Sequence, residues 1–438
     1  MRLFGTDGVR GVANRDLTPE LALALGRAAA IELGGSEPAR VLIARDTRLS
    51  GEMLEAALSA GLMSAGADVV SAGVLPTAGV AYLAHRHGFS AGVMISASHN
   101  PVEDNGIKFF ARDGHKLPDA VEDRIEMQLR AGAELPVGEG IGQRSEMGSL
   151  REEYIAHLAS LVGSRYPQGV VLDAAHGAAT SVLPLAFSPA AQSVAVIAAE
   201  PDGARINVDC GSTCPSYLVE HYRAFGGAIG LAFDGDADRL IAVDEEGEVA
   251  DGDVILALLA TWLKERGELG PAGVALTVMS NGGVRDYLHA RGIESVVTKV
   301  GDRYVIEAMR QEGILLGGEQ SGHIIYRRAS TTGDGLATGI LLLSALAELG
   351  VSLADFRREV PRYPQRLRSV RVVDREKPLG APAYAASLEQ AERALEGIGR
   401  VLVRPSGTEP VVRVMVEARR AEDADMWLER LCAALGGN

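Results

Sequence analysis

Cysteine, aromatic residues and positive charge are scarce in this 438-residue chain, and each shortage excludes a class of protein. The three cysteines are Cys210, Cys214 and Cys432. A C-x3-C pair with one remote partner is neither a disulfide framework nor a paired zinc motif. Aromatics make up 5% of the residues, which suits closely packed α/β layers better than a β-sandwich. Asp and Glu number 58 against 43 Lys and Arg, a net charge of −15. That balance argues against nucleic acid as a partner. The longest apolar runs, near Ile255–Leu263 and Ile340–Leu349, fall short of the roughly 20 residues a bilayer span requires. Met1–Asp7 leads into a turn without a signal-peptide pattern. The expectation is a cytoplasmic protein with no membrane partner.

What is present is length and an alternating pattern. At roughly 100–200 residues per domain the chain holds three or four domains, and its 47% hydrophobic content can fill several cores. A strand–helix–strand–helix–strand unit is predicted over Arg40–Ile95, again over Val170–Phe233, and a third time over Val274–Leu316 after a helix near Val254–Arg266. Such alternation implies mixed, mostly parallel sheets with helices on their faces. Residues 362–438 differ: three strands and two helices predict a smaller α+β domain, preceded by a hinge at Pro361 and Pro364. The segment 133–148 is polar and glycine-rich and reads as a boundary loop. Its GxGxG lacks a preceding strand and is a decoy. The expected architecture is three similar α/β domains, 1–150, 151–252 and 253–361, with the smaller domain at 362–438, around one central cleft.

The last strand of each unit delivers a chemically loaded loop. The first carries Ser98 just past the apolar run Ala91–Ile95, with His99, Asn100 and Pro101 ending the strand and the cation Lys108 ten positions on. Ser98 has three readings: a turn serine, a hydrolase nucleophile, or a phosphoryl carrier. As a hydrolase it lacks the G-x-S-x-G elbow, and His99 as an immediate neighbour is poorly placed to be its base. The second loop reads Asp234-Gly-Asp236-Ala-Asp238-Arg239. Alternate residues of an extended segment face one way, and three converging carboxylates repel unless a cation sits among them. All-oxygen ligands favour a hard ion such as Mg²⁺. The third loop, Gly317–His323, offers Glu319 and Ser321 at alternate positions, suited to sugar hydroxyls. A fourth, Arg404–Pro410, has hydroxyls at Ser406 and Thr408, close backbone approach at Gly407, and Arg404 and Arg413 for a phosphate. It is not a Walker loop, because no Lys-Ser/Thr follows the glycine.

Taken together, Ser-Ala-Ser-His-Asn-Pro at 96–101, Asp-Gly-Asp-Ala-Asp-Arg at 234–239, Gly-Glu-Gln-Ser-Gly-His at 318–323 and Arg-Pro-Ser-Gly-Thr-Glu-Pro at 404–410 resemble the phosphohexomutases along the whole chain. The opening Phe4–Gly11, the segment Asp104–Phe110 and Gln320 look most like the family's bacterial amino-sugar branch. The resemblance implies an isomerase that converts glucosamine 6-phosphate to glucosamine 1-phosphate through a phosphoserine and a 1,6-bisphosphate. That reaction feeds UDP-N-acetylglucosamine and peptidoglycan precursors. By the same resemblance Ser98 is the phosphoserine and a ligand of Mg²⁺ with Asp234, Asp236 and Asp238. Lys108, Arg10 and His323 supply acid and base help. As a base, Lys108 would need its pKa lowered from about 10.4. His99, Arg239, Glu319, Ser321, Arg404, Ser406, Gly407, Thr408 and Arg413 bind substrate. A hexose 1,6-bisphosphate activator, a homodimer and an activating kinase are further expectations from the family. The rival readings are a phosphomannomutase or phosphoglucomutase, a Mg²⁺-dependent serine phosphatase, and a silent sugar-phosphate sensor.

Overall fold

The computed structural model describes residues 3–5, 7–35, 37–131, 134–372, 377–405 and 410–436. The chain divides into two compact units, one of residues 1–279 and 293–358, the other of residues 280–292 and 359–438.

The first unit contains three sheets built on one plan. In each, three parallel strands are followed by a hairpin whose return strand runs antiparallel. The first sheet has the order Val9–Val12, Asp104–Ala111, Ala91–Ile95, Arg40–Arg45, Asp68–Val74, Arg144–Glu146. The second runs Val249–Ala250, Leu240–Val243, Ile229–Phe233, Tyr166–Asp173, Ala191–Ile197. The third runs Ser295–Thr298, Val274–Thr277, Leu316–Gly318, Ile324–Tyr326. The central strands Ala91–Ile95 and Ile229–Phe233 are buried along their whole length, as their unbroken apolar runs require of strands covered on both faces. The three hairpin loops therefore leave equivalent strands: 96–103, 234–239 and 319–323.

Helices form where apolar stripes meet caps. Thr18 accepts the Leu21 amide at the start of Pro19–Leu33, Asp251 accepts that of Val254 before Gly252–Glu265, and Asp334 accepts that of Ala337 before Gly335–Leu349. The last ends on Gly350 with φ +67°, a left-handed stop. Gly335–Leu349 is buried through most of its length, which explains its hydrophobicity. Among the described residues no single helix is long and apolar enough to cross a membrane.

The second unit holds the antiparallel sheet Gln365–Arg371, Val411–Ala418, Gly399–Pro405, packed on Pro382–Leu395 and Ala421–Ala434 through Val412, Val414, Val416, Trp427 and Leu431. Helix Gly282–Ala290 belongs with it. The Asn281 side chain donates to the Tyr363 carbonyl (2.8 Å) and accepts the Tyr363 amide (2.9 Å), while Glu417 accepts the Gly282 amide at 3.1 Å. This compact unit thus includes a helix that the sequence assigns to the domain 253–361.

A second difference lies in the boundary loop. Arg144–Glu146 is an edge strand, parallel to Asp68–Val74. Its three residues are all exposed, so no apolar alternation marks it.

Candidate active site

Two of the three hairpin loops bring their side chains together around Ser98. Ser98 is 2% exposed and has φ +53°, a left-handed conformation unusual for a serine. Its Oγ donates to Asp234 Oδ2 at 2.7 Å. His99 Nδ1 lies 3.3 Å from the same Oγ. The sequence reading placed His99 poorly for that contact. In extended backbone, neighbouring side chains diverge, and the left-handed turn at Ser98 removes that alternation.

Asp234, Asp236 and Asp238 are all buried, and their ligand oxygens lie within 4.8 Å of one another. Oδ1 of Asp236 and Oδ1 of Asp238 are buried without a hydrogen-bond partner. Burial and the neighbouring carboxylates push Asp234 well above its ordinary value. Burial and Asp238 raise Asp236 to about 6. Buried hard oxygen donors with unfilled acceptor capacity and mutual repulsion fit a hard divalent cation. The Asp236 carboxylate is fixed by Thr77, whose Oγ1 donates at 2.5 Å and whose amide donates to the Asp236 carbonyl at 3.0 Å.

Cations surround the triad, which resolves how an acidic chain could receive an anion. The Arg239 amide donates to Asp234 Oδ1 at 3.2 Å, and its guanidinium Nε stands 4.0 Å from Asp234 and 3.9 Å from Asp238. His323 Nδ1 is 3.5 Å from Asp238 Oδ2. Burial alone would favour a neutral imidazole, but the Asp238 carboxylate outweighs it and lifts His323 to about 9. Conversely, burial would favour the acid form of Asp238, yet His323, Arg239 and Lys108 hold it below the carboxylate range. Lys108 stands opposite Met94 on the return strand, 3.6 Å from Asp302. Burial works against its charge, and Asp302 with Asp7, Asp238 and Asp236 overcomes it, so the ammonium is held above its ordinary value. His99 goes the other way: burial, Arg239 and Arg10 bring it down to about 4.

The third loop is tied to the second by an isolated bridge between Arg239 and His323. Its turn is closed by the Glu319 amide on the His323 carbonyl and the Gly322 amide on the Glu319 carbonyl, both 3.0 Å. Glu319 Oε1 accepts the Gly301 amide at 3.0 Å, and Ser321 is exposed. A Cβ at Gly333 would lie 2.3 Å from the His323 ring, so that glycine makes room for the imidazole. Arg10 lies in the first strand, 3.8 Å from Asp7, with Nε buried and unpartnered.

In the second unit, Arg404 and Arg413 stand directly opposite each other on antiparallel strands. Ser406, Gly407 and Thr408 lie outside the described residues.

Sequence reasoning missed Thr77 and Asp302. Gly301-Asp302 opening a helix after a strand was the available signal for Asp302; Thr77 had none.

A serine hydroxyl on a buried acidic triad, ringed by fixed cations and set on repeated α/β domains, defines a site suited to handling a phosphoryl group. Sequence models of the phosphoglucomutase/phosphomannomutase alpha/beta/alpha domains I, II and III match residues 1–135, 152–247 and 251–363, and that of the C-terminal domain matches 367–434. The chain is similar to a phosphoglucosamine mutase from Moorella thermoacetica, 51% identical over 99% of this chain and 98% of the relative. One from Salinispora arenicola is 50% identical over 98% and 97%. A solved phosphoglucomutase/phosphomannomutase family protein from Burkholderia thailandensis has a TM-score of 0.83 at 25% identity, covering 100% of this chain and 98% of that one. The chain belongs to the phosphoglucomutase/phosphomannomutase family, as the four motifs indicated.

Proposed function

We propose that this chain is an isomerase that interconverts glucosamine 6-phosphate and glucosamine 1-phosphate by passing a phosphoryl group through Ser98. The observation that carries this reading is the Ser98 Oγ held 2.7 Å from Asp234 within the buried carboxylate triad. The substrate follows from relatives about half identical over nearly the whole chain that bear the name phosphoglucosamine mutase.

Phosphorylated at Oγ, Ser98 gives its phosphoryl group to the free hydroxyl of the bound sugar phosphate. The bond from phosphorus to Oγ breaks, one from phosphorus to the sugar oxygen forms, and the hydroxyl proton is exchanged for one taken up at Oγ. The product is glucosamine 1,6-bisphosphate. It turns round without leaving, and Ser98 Oγ takes the phosphoryl group that the substrate carried on O6: that P–O bond breaks, a P–Oγ bond forms, O6 regains a proton, and glucosamine 1-phosphate remains. Asp234, Asp236 and Asp238, together with phosphorylated Ser98, would hold Mg²⁺, which when bound would offset negative charge on the group in transit. Lys108 and His323, both kept charged by carboxylates, serve as proton donors and charge partners beside Arg10. His99, whose Nδ1 lies 3.3 Å from Oγ, binds substrate beside it.

Arg239, Glu319 and Ser321 contact the sugar phosphate. Arg404 and Arg413 bind the phosphate that is not reacting, with Ser406, Gly407 and Thr408. The phosphoserine, metal, sugar and phosphate loops fall in domains 1–150, 151–252, 253–361 and 362–438. A hexose 1,6-bisphosphate or a kinase loads Ser98 first. The enzyme works as a cytoplasmic homodimer supplying UDP-N-acetylglucosamine synthesis.

A side-by-side turnover assay tests the reading. Protein, Mg²⁺ and a trace of hexose 1,6-bisphosphate meet the 6-phosphates of glucosamine, glucose and mannose separately. Preference for glucosamine 6-phosphate is expected. Preference for mannose or glucose overturns the substrate, and free phosphate exceeding 1-phosphate product overturns the mutase reading in favour of a phosphatase.

A further inference from the structure

Ser98 is held in a conformation that serine does not favour on its own, so something must impose it. The restraint acts on the Ser98 carbonyl oxygen. Arg48 Nη2 donates to it at 3.0 Å. From the second domain, Asn207 Nδ2 donates to it at 2.9 Å. On a further side stands Gly235 of the metal loop, where a Cβ would come within 2.6 Å of the same oxygen.

Arg48 is 1% exposed, and each of its guanidinium N–H groups has an acceptor. Nη2 also donates to the Asn100 carbonyl at 2.8 Å. Nη1 donates to the Asp104 carbonyl at 2.9 Å and to that of Pro101. Nε donates to Asp46 Oδ2 at 3.0 Å. A planar fork with five donors in fixed directions can bind four carbonyls of one loop and a carboxylate at once; an ammonium cannot. Asp46 extends the restraint. Its Oδ2 also accepts Ser96 Oγ at 2.6 Å, and Ser96 Oγ in turn accepts the Ser98 amide at 2.8 Å. Both backbone polar groups of Ser98 are thus fixed by side chains, buried at Arg48 and Ser96 and half-buried at Asn207, leaving Oγ to face Asp234.

Asn207 has its own strain, φ +59°. Its amide donates to the Ala175 carbonyl at 3.1 Å, which seats it on the second domain.

We infer that Arg48 and Asn207 are positioning residues for the phosphoryl-carrying serine: they clamp the Ser98 carbonyl from two domains and thereby fix the direction of Oγ. The inference rests on the phosphoryl-transfer reading of Ser98. Neither residue touches the reacting atoms, so loss of the clamp slows transfer to and from Oγ while substrate binding elsewhere persists.

The test uses the full chain with Asn207→Gly and Arg48→Lys. Glycine accepts the left-handed backbone at 207 without strain, so Asn207→Gly removes only the amide donor. Thermal unfolding fixes the folded fraction. Phosphorylation of Ser98 by hexose 1,6-bisphosphate is followed by mass spectrometry, and kcat and KM are measured with glucosamine 6-phosphate. Per folded molecule, Asn207→Gly is expected to lose about tenfold in both the Ser98 phosphorylation rate and kcat, with KM nearly unchanged. Arg48→Lys is expected to lose about a hundredfold. Unchanged Ser98 phosphorylation and kcat in folded Asn207→Gly overturn the inference, even if Arg48→Lys fails to fold. So does a loss confined to KM or to the folded fraction. Wild-type protein that never gains a phosphoryl group at Ser98 refutes instead the reading on which the inference rests.

Discussion

The loop that carries Ser98 and the loop from Glu319 to His323 leave equivalent strands and enter equivalent hairpins, yet they differ in how far side chains fix the residue at their centre. The backbone of Ser98 is fixed by side chains, Arg48 and Asn207 from outside the loop and Ser96 from within it, and Ser98 is buried in a left-handed conformation. The Glu319 loop is closed by its own backbone through two 3.0 Å hydrogen bonds, and Ser321 at its tip is exposed. A group that forms and breaks bonds needs one fixed direction, which buried side-chain donors supply. A group that recognises a ligand needs a firm base and an open side chain, which a short backbone-closed turn supplies.

The largest test of this contrast is Ser98→Ala. Removing the hydroxyl should lower mutase turnover by at least roughly a thousandfold with little change in melting temperature; near-wild-type turnover would refute the phosphoserine. Next comes the metal. Chelation should abolish turnover, and Mg²⁺ should restore it, because the ion the triad would hold offsets charge on the group in transit; full activity in excess chelator would count against the site. At the other loop the effects should be smaller and of another kind. Ser321→Ala should raise KM for glucosamine 6-phosphate by about fivefold with kcat nearly constant, the magnitude of one lost hydrogen bond. A fall in kcat alone would place Ser321 with the reacting groups instead.

A separate effect, on stability rather than turnover, concerns the floor beneath the Ser98 loop. Asp173 accepts the amides of Ala175 (2.9 Å) and Gly211 (2.7 Å) and so anchors both ends of the segment that presents Asn207. Burial raises its carboxyl to about 6, against the two hydrogen bonds. A carboxyl raised above its ordinary value stabilises the fold fully below about 4, and that contribution is lost as pH rises through about 6. Wild-type stability should therefore fall relative to Asp173→Asn between pH 4 and pH 7, by about 3 kcal/mol at most. Parallel pH profiles for the two proteins in denaturant titrations would contradict this.

Much of the site was legible before the structure because its residues cluster in short loops behind apolar strands. Ser98, the Asp234–Asp236–Asp238 alternation and Glu319–His323 each follow a run that can only be buried, so the fold class and the loops emerge from one pattern. The return strand Leu240–Val243 was harder, since it directly continues the metal loop. The clamp on Ser98 was illegible: Arg48 and Asn207 lie far from it in the chain, and no periodicity links a buried arginine to carbonyls fifty residues away. The same holds for the pairing of Asn281 with Tyr363, while at Asp302 the helix start was readable and its ion pair with Lys108 was not.

The most direct measurement is a single-turnover chase. Protein labelled at Ser98 with isotopic phosphoryl from hexose 1,6-bisphosphate is mixed, in Mg²⁺, with unlabelled glucosamine 6-phosphate. The account predicts that label leaves Ser98 and appears first in glucosamine 1,6-bisphosphate, and that glucosamine 1-phosphate forms with little free phosphate. Label that stays on the protein during turnover, or passes mainly to inorganic phosphate, would contradict it.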